Sequence, residues 1–466
     1  MKEIIVKKSL LTLLVLAVSL VAIAPAFGQK QTPPEGSAPK SFTVPASDTY
    51  VLPSGLSVTL VPYGTIPKAA VSLAVEAGSL NEGKSHAGVA SLTGDLFREG
   101  TATLTSHQLA EATAQMGTAL TVPVGEDQTK FELDVLQESA PDAVKILADV
   151  VEHPRFPESE LTRLKNDALR RIALQLSQPK TIADIRFRKL LYGEHPYGTV
   201  VPTEDDVKKL TLQDVKEYYS SNFGAQRSHL YVAGRFDKAA VKKAIADSFS
   251  GWTKGPARME NVPSPTAHRV LDVTDRPDAP QSTLKLGLPV PAPTSPEAIP
   301  LGLTNALLGG SFNSRITSNI REQKGYTYSP YSEISRRYHD AYWAQNADVT
   351  TQFTGASLKE IFGEIDRLQK EAPSAPELKG IQSYLSGIFV IQNSNRQALI
   401  GQLQYVDFQG LGEDYLKNYV PRINAVTPAD VQKLTRKYIR PEAMVIVVVG
   451  DKSKISDQLM PFQTGK

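Results

Sequence analysis

"LTLQDVKEYYSSNFGAQRSHLYVAG" at residues 210–234 and "VTPADVQKLTRKYIRPEAMVIVVVG" at residues 426–450 follow one plan. Thr211, Asp214, Val215 and Gly234 fall on Thr427, Asp430, Val431 and Gly450 at one offset of 216 residues. Each copy reads as a capped amphipathic helix, a turn, then an apolar strand closing at glycine. A second helix follows the first copy in "DKAAVKKAIADSF", residues 237–249. An offset spanning nearly half the chain predicts two duplicated α+β domains and excludes a short-period solenoid.

The stretch "TKGPARMENVPSPTAH", residues 253–268, is rich in proline and mixed charge and reads as the linker between the copies. It leaves an N-terminal domain at 45–252 and a C-terminal domain at 269–464. Ahead of them, "MKEIIVKKSLLTLLVLAVSLVAIAPAFG" has early lysines, an apolar run from Leu10 to Ala24 and small residues before Gln29. This is the pattern of a secretory signal at 1–28, with an apolar run shorter than the roughly 20 residues of a spanning helix. Residues 29–44 follow as a flexible lead-in. The expectation is an exported chain, periplasmic or extracellular, without a membrane anchor once the signal is cleaved.

With 51 basic and 49 acidic side chains the formal net charge is +2, which offers nothing for nucleic acid to recognise. Cysteine is absent, so disulfides, thiolate metal sites and a cysteine nucleophile are excluded.

Two stretches carry a family likeness. "LLYGEHPYGTVVPTEDDVKKLTLQDVKEYY" (190–219) and "NALLGGSFNSRITSNIREQKGYTYSP" (305–330) resemble the pitrilysin/insulinase family of zinc peptidases, in the short-chain branch that includes the mitochondrial processing peptidases. The resemblance extends over about residues 45 to 464. It implies two similar α+β domains, each a mainly antiparallel sheet backed by helices. It also implies paired chains enclosing a chamber for unfolded peptides.

Active members carry His-x-x-Glu-His on a helix and a further glutamate ligand about 76 residues later. Two histidines one helical turn apart face one metal, and the glutamate between them deprotonates bound water. In "GSLNEGKSHAGVASLTGDLFREGT" (78–101), that frame puts Ser91 and Asp95 at the histidine positions and Gly94 at the base. Arg171, 76 residues beyond Asp95, stands where the glutamate belongs, and Leu164 at a second acidic position. No two of the seven histidines have the i, i+4 spacing of a helical metal pair. The chain is therefore expected to bind no metal of its own, and Asp95 and Arg171 are expected to form an ion pair in its place.

In the second half, Arg321 and Tyr328 in "REQKGYTY" match the family's arginine and tyrosine that reach a zinc centre across a clamshell. By resemblance their donors hold the substrate carbonyl and the oxyanion that develops on it. "MGTALTVPVGEDQTKFELDVL" (116–136) reads as a hairpin of alternating strands. The resemblance implies that its edge strand captures peptide backbone by strand addition, with Thr121 and Val122 at the peptide-contacting positions, and a hairpin that only completes its sheet stands as the alternative. The leading expectation is a zinc-free subunit of a heteromeric metallopeptidase, supplying Arg321 and Tyr328 to a zinc-bearing homologous chain. A stand-alone peptide-binding or scaffold protein, and an independent peptidase with other ligands, remain as alternatives.

Overall fold

The computed structural model describes residue 43 and residues 45–463 apart from 84, 85, 259 and 413; the signal and most of the lead-in read from the sequence lie outside the described residues. Residues 41–466 belong to one compact unit.

The first half opens with β1 (Asp48–Val51), β2 (Ser57–Pro62) and β3 (Lys68–Val75). Helices α1 (Val89–Leu96) and α2 (Ser106–Gln115) follow, then β4 (Thr129–Leu136). Next come α3 (Ala140–Glu152), α4 (Glu158–Leu176), α5 (Pro179–Tyr192), α6 (Glu204–Lys209) and α7 (Leu212–Asn222). β5 (Ser228–Gly234) and α8 (Lys238–Phe249) complete it. The strands form one sheet in the order β1-β2-β5-β3-β4, antiparallel except for the β2–β5 pair.

The second half contains β6 (Val270–Asp275), β7 (Gln281–Val290), α9 (Ala298–Asn305), α10 (Arg315–Thr317), β8 (Tyr331–Arg337) and β9 (Asp340–Thr350). It continues with α11 (Thr354–Lys370), α12 (Ala375–Gln392), α13 (Arg396–Gln409), α14 (Asp414–Ala425), α15 (Pro428–Tyr438), β10 (Val445–Gly450) and α16 (Lys452–Leu459). Its sheet runs β6-β10-β7-β9-β8, with only β6–β10 parallel. Four strands of each sheet share one wiring, β2-β5-β3-β4 matching β6-β10-β7-β9 with the first pair parallel in both; the fifth strand lies beside β2 in the first sheet and beside β9 in the second.

The repeated motif folds as its residues dictate. Thr211 and Thr427 cap α7 and α15, each accepting the amide N–H three residues on, while Asp214 and Asp430 reach back to the cap backbone. Two orphan donors are satisfied at each helix start. Each sheet buries one face under its own helices: Val58, Leu60, Val71, Leu73, Phe131 and Val232 in the first half, and Leu284, Leu286, Trp343, Ile446 and Val448 in the second.

The other faces are covered reciprocally. α5, from the first half, lies on the second sheet, where Ala183, Phe187 and Leu191 pack with Tyr342, Ala344, Val445, Val447 and Val449. α13, from the second half, lies on the first sheet, where Leu399 and Ile400 pack with Val61, Ala70, Tyr231 and Ala233. Polar contacts reinforce the exchange: Arg396 of α13 grips Asp134 of β4 in a fork of two 2.7 Å bonds, and Arg186 of α5 grips Asp272 of β6 at 2.8 Å twice. The linker is pinned as well. The Arg258 guanidinium lies 3.3 Å from the centre of the Tyr338 ring and 4.8 Å from that of Phe408, and pairs with Glu76 at 3.1 Å.

The hairpin expected at 116–136 is only half regular. β4 is a full strand, whereas its neighbour is reduced to isolated bridges from Thr121 to Glu132 and from Val124 to Thr129. Pro123, between them, has no N–H to give.

Candidate functional site

α1 carries three of the four positions at issue, and its placement begins with Glu82. The Glu82 carboxylate accepts the N–H of Gly88 at 3.0 Å and of Ala90 at 2.8 Å, closing the start of the helix. Burial, aided by the Asp206 charge and opposed by those two backbone bonds, pushes its pKa up to about 7. From there Val89, Ala90, Leu92, Thr93 and Leu96 face the core, while Ser91 is exposed and Asp95 partly so.

Gly94 lies on the face of α1 that meets the hairpin. A Cβ built on it would lie 2.3 Å from Cγ2 of Val124. The volume in which a general base would stand is filled by a valine from the neighbouring segment. Beside it remains a cleft of about 360 Å³ lined by Glu82, Gly88, Ser91, Val124, Glu126 and Glu194 among others.

Asp95 and Arg171 meet. Arg171 Nη2 donates to Asp95 Oδ2 at 2.7 Å, and Arg98 Nη2 donates to Oδ1 of the same carboxylate at 2.8 Å. One helical turn on, Glu99 receives Arg163 of α4 at 2.5 Å, and Arg163 also holds Glu160 at 2.7 Å. Asp95 of α1 and Glu99 in the turn just after it are thus each tied to α4 by an ion pair. Arg171 remains half exposed, at 51% of its side chain, against 15% for Asp95. Leu164 is buried in the core.

This donor set does not fit zinc. Its single carboxylate is already engaged by two guanidinium groups, Ser91 offers a neutral hydroxyl, and Arg171 brings a cation where a ligand is needed. No cluster of three or more histidine, aspartate or glutamate side chains suited to a metal occurs among the described residues. The histidines have other tasks. His195 Nδ1 accepts the Tyr197 N–H at 3.2 Å in the "GEHPYG" turn, and His229 lies 2.8 Å from Thr59 Oγ1, with burial pushing its pKa down to about 4.

The "VGED" turn closes the site on its other side. Glu126 bonds Arg337 of β8 at 2.8 Å and also pairs with Arg188 of α5. Both arginines are buried, at 4% and 6% exposure, so the turn is bolted to the junction of the two halves. The hydroxyl of Tyr197 donates to Asp127 next door. Thr121 exchanges two backbone bonds with Glu132, at 3.2 and 3.0 Å. Val122 packs at the edge of the core and its carbonyl lies over Gly94.

Arg321 and Tyr328 do not line the cleft beside α1. They project from a separate surface built on β9 and α11. Arg315 forks onto Glu377 at 2.7 and 2.9 Å, and Asn319 donates to Glu360 and Glu364 at 3.0 and 2.7 Å. These bonds fix the helical stretch that ends at Gln323. Beyond its turn, Tyr326 stacks on Phe353 with ring centres 4.5 Å apart, and Thr327 Oγ1 donates to the Asp348 carbonyl at 2.6 Å. With both preceding residues tied inward, Tyr328 points out and is 78% exposed. The Arg321 guanidinium lies 4.9 Å from the Tyr328 ring centre, 4.3 Å from that of Phe312, and its Nε lies 3.1 Å from Glu322. Sequence reasoning singled out the arginine and the tyrosine but missed Phe312, although it lies within the "GGSFNSR" that carried the likeness. Glu82 was missed too: an acid six residues before a helix has no pattern that announces a cap.

Comparison with known proteins identifies the family. Residues 58–199 match the description "Insulinase (Peptidase family M16)" and residues 209–385 match "Peptidase M16 inactive domain". An uncharacterized zinc protease, YmxG, of Bacillus subtilis is 24% identical over 83% of this chain and 94% of its own length. A protein of Helicobacter pylori named a non-peptidase homolog is 20% identical over 84% of this chain and 90% of its own. Among solved structures, a peptidase M16 inactive domain from Pseudomonas fluorescens is similar with a TM-score of 0.80 and 25% identity, covering 87% of this chain and 98% of that one. A protease from Helicobacter pylori superposes with a TM-score of 0.82 at 18% identity, covering 88% of this chain and all of that one, a likeness of fold.

Proposed function

Because this chain belongs to the insulinase (M16) family of peptidases, we propose that it is the zinc-free subunit of an exported heteromeric metallopeptidase acting on unfolded peptides. It would supply Arg321 and Tyr328 to the zinc site of a homologous partner. The observation that carries this reading is the contrast between two surfaces. The metal position is occupied by an Asp95–Arg171 ion pair, and Val124 fills the space at Gly94. Tyr328, by contrast, stands 78% exposed, and the partly buried Arg321 guanidinium lies 4.9 Å from its ring centre.

The partner's zinc, when bound, supplies the Lewis acid and the activated water. This chain's part is to receive charge. The Arg321 guanidinium and the Tyr328 hydroxyl donate hydrogen bonds to the scissile carbonyl oxygen as it becomes an oxyanion. Donors aimed at developing charge in a water-poor chamber are worth about a hundredfold or more in rate. The export assignment rests on the N-terminal lysines, apolar run and small residues alone.

The test is reconstitution. The purified chain is expected to hold no stoichiometric zinc and to leave unfolded peptides intact, and addition of a zinc-bearing homologue from the same host is expected to generate cleavage. Arg321→Ala and Tyr328→Phe should each lower kcat by about tenfold or more while leaving complex formation nearly unchanged. Full activity of the homologue alone, or unaltered turnover in both variants, would reject the reading. Tight peptide binding by this chain without a partner would favour a stand-alone binding protein instead.

A further inference from the structure

The geometry points to Phe312 as the positioning residue of the arginine–tyrosine pair: its ring, with that of Tyr328, clamps the Arg321 guanidinium in a fixed orientation toward the open surface. This rests on the reading of Arg321 and Tyr328 as charge-receiving groups.

Phe312 is 63% exposed, and the contact recorded for its ring is the Arg321 guanidinium at 4.3 Å. An exposed phenylalanine by itself needs no explanation. This one is held in place by its surroundings. The stretch Ala306–Gly310 is wound as a π-helix, and it lies so close to β8 and β9 that a Cβ on Gly309 would meet Ser332 Oγ at 2.6 Å and Gln345 Oε1 at 2.7 Å. The chain then leaves that helix through Ser311, whose N–H reaches the Ala306 carbonyl at 3.0 Å. Ser314 returns it, its N–H on the Ser311 carbonyl at 3.1 Å and its hydroxyl on Thr317 at 2.9 Å. Ser311 and Ser314 are buried while Phe312 and Asn313 between them are exposed. The backbone on either side of Phe312 is therefore anchored, and the ring stands out from a fixed base.

A long cationic side chain at a surface ordinarily samples many rotamers and must give up that freedom in a transition state. Arg321 has part of that cost removed in advance. Its side chain is only 22% exposed, although it stands on an open face, because the two rings cover it. The guanidinium carbon lies 4.3 and 4.9 Å from the two ring centres while its Nε is turned to Glu322 at 3.1 Å, so the two Nη groups are the donors the proposed role calls on. The role requires a π face at position 312, not bulk alone.

The test compares Phe312→Tyr, which keeps the π face, with Phe312→Leu, which keeps apolar bulk. In this chain alone, the Arg321 Nε–H resonance, assigned by its loss in Arg321→Lys, is expected to keep its ring-current shift and slow solvent exchange in Phe312→Tyr. In Phe312→Leu it should move toward a solvated arginine, with the melting temperature unchanged in both. In the two-chain peptidase, Phe312→Leu is expected to lower kcat about three- to tenfold with KM held, and Phe312→Tyr to restore it. An Nε–H signal indifferent to Phe312→Leu, or equal kinetics for leucine and tyrosine, overturns the positioning role even where Arg321→Ala is impaired. If Arg321→Ala itself leaves turnover intact, the reading of the pair fails and the kinetic role of Phe312 falls with it, while the resonance still decides whether the clamp exists.

Discussion

At the scale of single residues, Asp95 shows how ordinary electrostatics tie two helices together. Its carboxylate has two half-exposed partners, Arg171 and Arg98, so water competes for each bond. Exposed pairs contribute about 0–1 kcal/mol. A double-mutant cycle with Asp95→Ala and Arg171→Leu is accordingly expected to give a coupling of about 0.3–1 kcal/mol in urea unfolding, below the roughly 3–5 kcal/mol of a stranded buried charge. No coupling at all would mean that α1 and α4 are joined by packing alone. Glu82 gives a sharper signal. Burial raises its folded pKa from 4.5 to about 7, so the folded chain binds a proton that the unfolded chain releases. Stability from this group therefore falls as pH rises from about 4.5 to 7 and is level above. In Glu82→Gln that slope should vanish, and the difference in urea midpoint between wild type and variant should change across this window. An unchanging difference would place Glu82 at an ordinary carboxylate pKa. The Asp95–Arg171 meeting was legible in the sequence because a conserved count of residues sets two backbones beside each other whatever their side chains. The partial exposure of Arg171 was not, since it depends on what covers the surface of α4.

At the scale of elements, the contact between α1 and the segment 121–124 decides what side chain position 94 can hold. A methyl at position 94 would overlap Val124. Gly94→Ala is expected to cost about 1–3 kcal/mol by overpacking, despite alanine's better helix propensity, and Val124→Ala in the same chain should recover most of that. If Gly94→Ala is neutral or stabilising in thermal unfolding, the two elements are looser than their packing implies. The same contact means that a side chain longer than alanine at position 94 has no room unless the segment carrying Val124 moves. The repeated helix–turn–strand was readable because capping boxes and strand periodicity are local, as Thr211 with Asp214 and Thr427 with Asp430 show. The irregular strand at 121–124 was misjudged for the opposite reason. Alternation of side chains proposes a strand and passes over Pro123, whose missing N–H was there to read, while the packing of Val124 against Gly94 depends on a neighbour 30 residues away.

At the scale of the whole molecule, the exchange of α5 and α13 binds the two halves into one cooperative body. Phe187, fully buried, packs on Tyr342 with ring centres 5.3 Å apart. Phe187→Ala should cost about 3–5 kcal/mol and lower the melting of both halves together, read as one calorimetric transition. Two separated transitions would show that the halves fold independently. The apolar residues of α5 do not say which sheet they meet, and only the three-dimensional arrangement assigns them to the second. The order of biosynthesis gives this exchange a further meaning. The surface that receives α5 is completed by β10, which ends at Gly450. A ribosome adding about 5–20 residues per second needs roughly 10–50 s to travel from Tyr192 to that strand. Throughout that interval Phe187 and Leu191 have no home, and the first sheet likewise waits for α13. A nascent chain in this state is greasy, incomplete and open to capture by holding factors, and an exported protein must be held in such a state if it is to be threaded across a membrane unfolded.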